Sequence, residues 1–193
     1  MGNARRESAA KAAAYARKNF PDSDSVFVIM EPEKEDLIRW IPDLIAPIVE
    51  GRAMMVFPRR NEDGWKSYPS FQADEEKVAN MVFYEMTGVK ADPMLGPIVF
   101  HKELSGYFAE CQPKEKYGVP DNYLQHVAPM EIIRDGFPVE VVEIGFIYPP
   151  EQKAEEEGPK FAEMVKKRLS QQSELVQTYF KVGKTILPHP NIV

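Results

Sequence analysis

Two hydrophobic periods alternate along this chain, and the switches between them outline the expected elements. Residues 3–19 hold Ala9, Ala10, Ala12, Ala13, Ala14 and Ala16, which predicts a helix halted by Phe20, Pro21 and Asp22. Its large apolar side chains are Tyr15 and Phe20 alone, so its docking face is weak. VFVIM, residues 26–30, reads as a short buried strand. Leu37, Ile38, Ile41, Leu44, Ile45 and Ile48 then recur at helical spacing around Pro42 and Pro47, giving two short helices or one kinked helix. Residues 52–71 read as a hairpin in which Asn61-Glu62-Asp63-Gly64 supplies the turn, with Pro58 and Pro69 keeping the arms at a sheet edge.

Residues 73–88 predict a helix with Val78, Met81 and Val82 on its inner face and Gly88 as its stop. Residues 96–113 fit a helix through Ile98, His101, Leu104, Phe108 and Cys111, and fit a strand through IVFHKEL; Gly96 and Pro97 favour the helix. A long loop is expected over 112–128. Residues 129–150 read as two strands around Asp135-Gly136, the second apolar on both faces and therefore central. Gly158 and Pro159 introduce a long amphipathic helix with Phe161, Val165, Leu169, Val176 and Phe180 as its buried stripe and Gly183 as its end. The order predicts an α+β fold: a two-layer domain with a mostly antiparallel, hairpin-built sheet packed by helices. Residues 1–20 form a basic N-terminal helix and 21–193 a single α+β domain.

Charge sharpens one part of this picture. The chain carries a net charge of −6 over 193 residues, yet residues 1–20 hold five Lys or Arg against Glu7 alone. A transit peptide would share the Arg- and Ala-rich composition, but Glu7 and the lack of a serine-rich stretch argue against one, and Arg6 stands where myristoylation needs Ser or Thr. Docking of this helix on an acidic surface, in cis or in trans, is the favoured reading. The length suits one self-sufficient core. With no apolar run near the ~18 residues of a membrane span, and with Cys111 as the sole cysteine, the chain reads as a soluble cytoplasmic protein without disulfides or thiolate metal clusters.

Candidate chemistry is sparse. His101, Glu103 and His126 are the one combination resembling a metal set, but their spacing lacks ligand logic, and the third histidine, His189, adds no pattern. No metal and no cofactor is expected. Cys111 with His126 is a conceivable nucleophile and base, although a small buried thiol is the plainer reading. No glycine-rich phosphate loop or nucleophile elbow occurs. Arg59 and Arg60 beside Trp65 form an expected basic, aromatic tip suited to a carboxylate or a base, with Tyr15 and Phe20 a second contact point. The sequence therefore favours a non-catalytic protein-binding or self-assembling protein. The alternatives are a small cofactor-free, hydrolase-like enzyme using His101, Glu103, Cys111 or His126, and a nucleic-acid binder using the basic helix.

Overall fold

The computed structural model describes residues 2–21, 23–31 and 34–186. In chain order they form α1 (Gly2–Asn19), β1 (Val26–Ile29), a 3-10 segment (Glu35–Trp40) running into α2 (Ile41–Val49), β2 (Met55–Arg60), α3 (Glu62–Ser67), α4 (Ser70–Thr87), β3 (Ile98–His101), α5 (Ser105–Ala109), α6 (Pro113–Tyr117), α7 (Leu124–Arg134), β4 (Val139–Ile144), α8 (Pro150–Glu157) and α9 (Phe161–Ile186). The strands make one mixed sheet in the order β1-β3-β2-β4. β3 is antiparallel to both its neighbours, and β4 runs parallel to β2. This is the expected α+β domain, with the long C-terminal helix in place.

Strand alternation divides the core between the two faces of the sheet. Met55, Phe57, Ile98 and Phe100 face a thick helical layer that includes Phe83 of α4, Val127 of α7 and Tyr179 of α9. Val56, Val99 and Ile144 face the opposite way, onto Leu37, Leu44 and Ile48 around α2. A thin second helical layer therefore covers the face that a two-layer domain leaves to solvent.

Neither expected hairpin forms. Asn61 is an N-cap whose Oδ1 accepts from the Gly64 N–H at 2.8 Å, and Glu62 and Asp63 occupy the first turn of α3, where acids suit the helix dipole. The same four residues that read as a turn thus start a helix. Asp135 and Gly136 end α7, with Gly136 at φ +80° and its N–H on the Ile133 carbonyl, so residues 129–134 are helix rather than strand. β4 lies at a sheet edge instead of the centre, and β2, with Pro58 in it, lies inside. Pro58 is tolerated because β3 pairs with β2 only at Met55 and Val56. VFVIM yields a half-buried edge strand, and residues 96–113 hold a strand followed by a helix. The expected loop at 112–128 is occupied by α6, a 3-10 turn and the start of α7.

Two long helices present different faces from those expected. Val78 and Met81 of α4 are exposed, while Gln72, Glu76, Ala79, Val82, Phe83 and Met86 point inward. On α9 the buried stripe is Leu175, Thr178, Tyr179 and Val182, whereas Phe161, Leu169 and Phe180 face outward. Gly183 does not end the helix. A Cβ there would lie 2.7 Å from Met86 Sδ, so its hydrogen lets α9 close onto α4. Rings of Phe57, Phe83 and Tyr179 then meet edge to face at 5.6 and 5.2 Å, linking sheet, α4 and α9.

Helix α1 docks in cis. Ala9, Ala13 and Ala16 are buried, whereas Tyr15 and Phe20 are 62% and 51% exposed and their rings meet each other at 6.1 Å. Arg6 donates to the Cys111 carbonyl at 3.0 Å and to Asp121 at 3.2 Å, and Arg5 donates to the Asn122 carbonyl at 3.0 Å. Small side chains permit the close approach, and the guanidinium groups fix its register.

Leu175→Ala should lower the stability by about 2–5 kcal/mol, as for other buried leucines, while Leu169→Ala should change it by less than about 0.5 kcal/mol. Chemical denaturation of the two variants beside the parent protein checks the phase of α9.

Candidate functional site

Arg60 ends β2 and turns its guanidinium into the protein, where the residue is 2% exposed. Asp92 grips it in bidentate fashion, Nε at 2.6 Å and Nη2 at 2.8 Å, and Glu76 Oε2 lies 2.6 Å from Nη1. The guanidinium also lies against the rings of Trp65, at 3.7 Å, and Tyr68, at 4.4 Å. Asn80 donates to Asp92 at 2.7 Å and Gln72 to Glu76 at 2.7 Å, so both carboxylates are themselves oriented. Burial acts to strip the proton from Arg60, but Asp92 and Glu76 outweigh it and hold the charge more firmly than water does. The expected exposed tip is thus corrected: Arg60 is a buried strut. Arg59 stays at the surface and pairs with Glu143 at 3.1 Å, and Trp65 is half-buried.

Two concave regions flank this strut. The first is a cavity of about 360 Å³ at the sheet end where β1, β2 and β4 finish and β3 begins. Its walls include Glu76 and Tyr68 from the Arg60 cluster, Tyr148 beyond β4, Glu156 of α8 and Arg168 of α9. Tyr148 Oη and Gln152 Nε2 donate to Glu156 Oε1 at 3.0 and 3.2 Å. Lys34 pairs with Glu31 at 2.8 Å and donates to the Leu95 carbonyl at 2.6 Å. Burial alone would push the Glu31 carboxyl up, and Lys34 with Arg5 brings it below its ordinary value. The second region is a surface groove of about 400 Å³ between Trp65 and the outer side of α4, bordered by Arg59, Met81, Tyr84 and Lys90 and floored by Asp92.

No family model, curated protein or solved structure matches this chain. Its functional reading therefore rests on the geometry of these two regions and on where the sequence-predicted residues fall.

The four candidate enzyme residues do not converge. Glu103 and Cys111 border one open concavity of about 700 Å³, with Lys116 and Glu131, but burial and then Glu131 push the Cys111 thiol up to about 12, away from the thiolate a nucleophile needs. His126 lines the cavity at the sheet end instead, its Nδ1 2.9 Å from Tyr179 Oη, and burial lowers it to about 3, so it is a neutral packing group. His101 sits at the end of β3 with Nδ1 accepting from the Glu103 N–H and Nε2 3.6 Å from Asp24. His189 lies outside the described residues. Among the described residues no three His, Cys, Asp or Glu are grouped to hold a metal ion. The residues that sequence reasoning missed, Asp92, Glu76, Tyr68, Glu156 and Arg168, come from segments far apart in the chain. A glutamate inside the apolar face of α4 was the one local signal.

Arg60→Met should cost about 3–5 kcal/mol, because it leaves two carboxylates buried without their cation, whereas Arg59→Met should cost less than about 1 kcal/mol. Equilibrium urea denaturation distinguishes them.

His126 gives a pH signature. Its ordinary value is 6.5 and the fold lowers it to about 3, so the unfolded chain takes up the proton first as pH falls. Its contribution is intact above about pH 6.5 and is lost between there and about pH 3, by at most ~1.4 kcal/mol per pH unit. His126→Gln should flatten the stability curve over that interval.

Proposed function

We propose that the protein acts by non-covalent contact with another protein, and that the groove between Trp65 and α4 is the contact surface. The observation that carries this reading is the outer side of α4, where Met81 and Tyr84 are 57% and 39% exposed and line the groove together with Trp65. Single exposed apolar residues are ordinary, but a contiguous set along a groove is what binding surfaces present. Two cations with no ion pair among the described residues border it: Lys77 Nζ lies 5.3 Å from the Trp65 ring and Lys90 Nζ 5.8 Å from the Tyr84 ring, while the neighbouring Arg59 is paired with Glu143. In a chain of net charge −6 this local excess of positive charge favours one occupant, an acidic protein segment with an apolar anchor. Arg59 and Trp65, singled out from the sequence, belong to this surface.

A nucleic-acid reading has less support. Arg5 and Arg6 are committed to Asn122, Cys111 and Asp121, and Lys11 is paired with Glu7 at 2.7 Å, which breaks up a basic face on α1. No helix among the described residues is long and apolar enough to cross a membrane. A cytoplasmic site of action belongs to the same proposal, supported by the unpaired, buried Cys111.

The test uses a Trp40→Phe background, in which Trp65 is the remaining tryptophan. A synthetic peptide with phenylalanine flanked by glutamates should change Trp65 emission, the affinity should fall as salt is added, and Met81→Asp should abolish the response. An equal response to the peptide with lysines in place of glutamates, or no response, overturns the acidic partner. Concentration-dependent dimerisation that Met81→Asp abolishes would assign the groove to a second copy instead.

A further inference from the structure

The cavity at the sheet end is built to hold something, and its inventory of unspent polar atoms says what. Among the described residues Tyr68 Oη, Gln72 Oε1 and Glu156 Oε2 have no hydrogen-bond partner, although their residues are only 3%, 4% and 5% exposed. A buried polar atom left unmade is costly, and three lining one cavity mark a place where a ligand or water completes the bonding. Two of the three are obligate acceptors, and Glu156 joins no ion pair within the described chain. Arg60, the one cation behind this wall, is already shared between Glu76 and Asp92. The inner wall therefore asks for a donor bearing positive charge.

The lining also holds the opposite sign, on α9. Arg168 Nε is buried without an acceptor, and neither Arg168 nor Lys167 of α9 forms an ion pair among the described residues. Arg168 lines the cavity, and its field favours the ionised forms of Glu31 and Tyr148 in the same lining as well as of Glu75 outside it. A phosphate or dicarboxylate would satisfy this side and collide with Glu156 and Glu76. A simple amine would satisfy Glu156 and leave the buried Arg168 Nε without an acceptor. An apolar molecule would satisfy neither.

We propose that this cavity binds a free amino acid or a zwitterion of that size, its ammonium group on Glu156 and Gln72 and its carboxylate on Arg168. The volume of about 360 Å³ lies at the small end of ligand sites and suits a single amino acid rather than a nucleotide. Tyr148, 4.3 Å from Tyr68 ring to ring, provides an aromatic wall beside the ammonium position. The site is separate from the surface groove, so it stands or falls independently of the protein partner.

Thermal denaturation of the full chain with each proteinogenic amino acid at millimolar concentration, followed by calorimetric titration of any that raises the melting temperature, tests the assignment. At least one should bind. Glu156→Gln should weaken it about tenfold or more, as expected for losing a charged hydrogen bond, and Arg168→Gln should do the same. The decarboxylated amine of that amino acid should bind the parent protein about tenfold more weakly, and equally weakly to Arg168→Gln. Should Glu156→Gln fail to fold, Arg168→Gln and the amine carry the test. No stabilisation by any amino acid, or binding that is unchanged in the folded variants, overturns the proposal.

Discussion

A guanidinium removed from water at the end of an inner strand sets the terms for the elements around it. Arg60 is tolerated there because Asp92, Glu76, Trp65 and Tyr68 lie around it, supplied by three stretches of backbone: α3 with its C-cap, α4, and the loop before β3. An ion of this kind is expensive to bury and still more expensive to leave unpaired, so the ring of partners must assemble together or not at all. This requirement explains why α4 presents Glu76 and Gln72 inward, why α3 follows the strand directly with Trp65 beneath it, and why the loop before β3 brings Asp92 back. Its hydrogen bonds and ion pairs tie α4 and the loop before β3 to the end of β2.

The same cluster explains which parts of the fold were legible from the sequence. Elements with strong local signals were read well: the alanine helix, the proline-bent α2, and α4 with its Gly88 stop at φ +73°. The inner faces of α4 and α9 were misread because their buried sides include Gln72, Glu76 and Thr178, while Met81 and Leu169 face outward. Hydrophobic periodicity finds that a helix is amphipathic, but polar burial and an outward apolar patch rotate the apparent face in the same direction of error. Asn-Glu-Asp-Gly and Asp-Gly were misread for another reason. A turn signal and a helix-terminus signal use the same residues, and only the flanking pairing decides between them.

Arg60 was the one predicted site residue whose environment was reversed by the structure, since two adjacent arginines beside a turn carry no local mark of burial. Its partners at 76 and 92 become neighbours only through packing. What remained true of that stretch is its double character: Arg59 and the outer edge of Trp65 belong to a surface groove, while Tyr68 and Glu76 belong to an inner cavity. One buried cation thus forms a partition with a binding-shaped space on either side.

The interleaved order of the sheet has a kinetic consequence. Its register joins Val26 to His101 and Met55 to Val139, and no strand pairs with a sequence neighbour through a tight turn. Loop-closure entropy must therefore be met before any ladder bond rewards it, so the sheet forms more slowly than the helices around it. During synthesis β1 and β2 emerge with no partner strand until residues 98–101 have followed, and β4 completes the sheet later still. The early chain holds helices and two unpaired apolar strands, a state in which a holding chaperone would find more exposed surface than the finished protein offers.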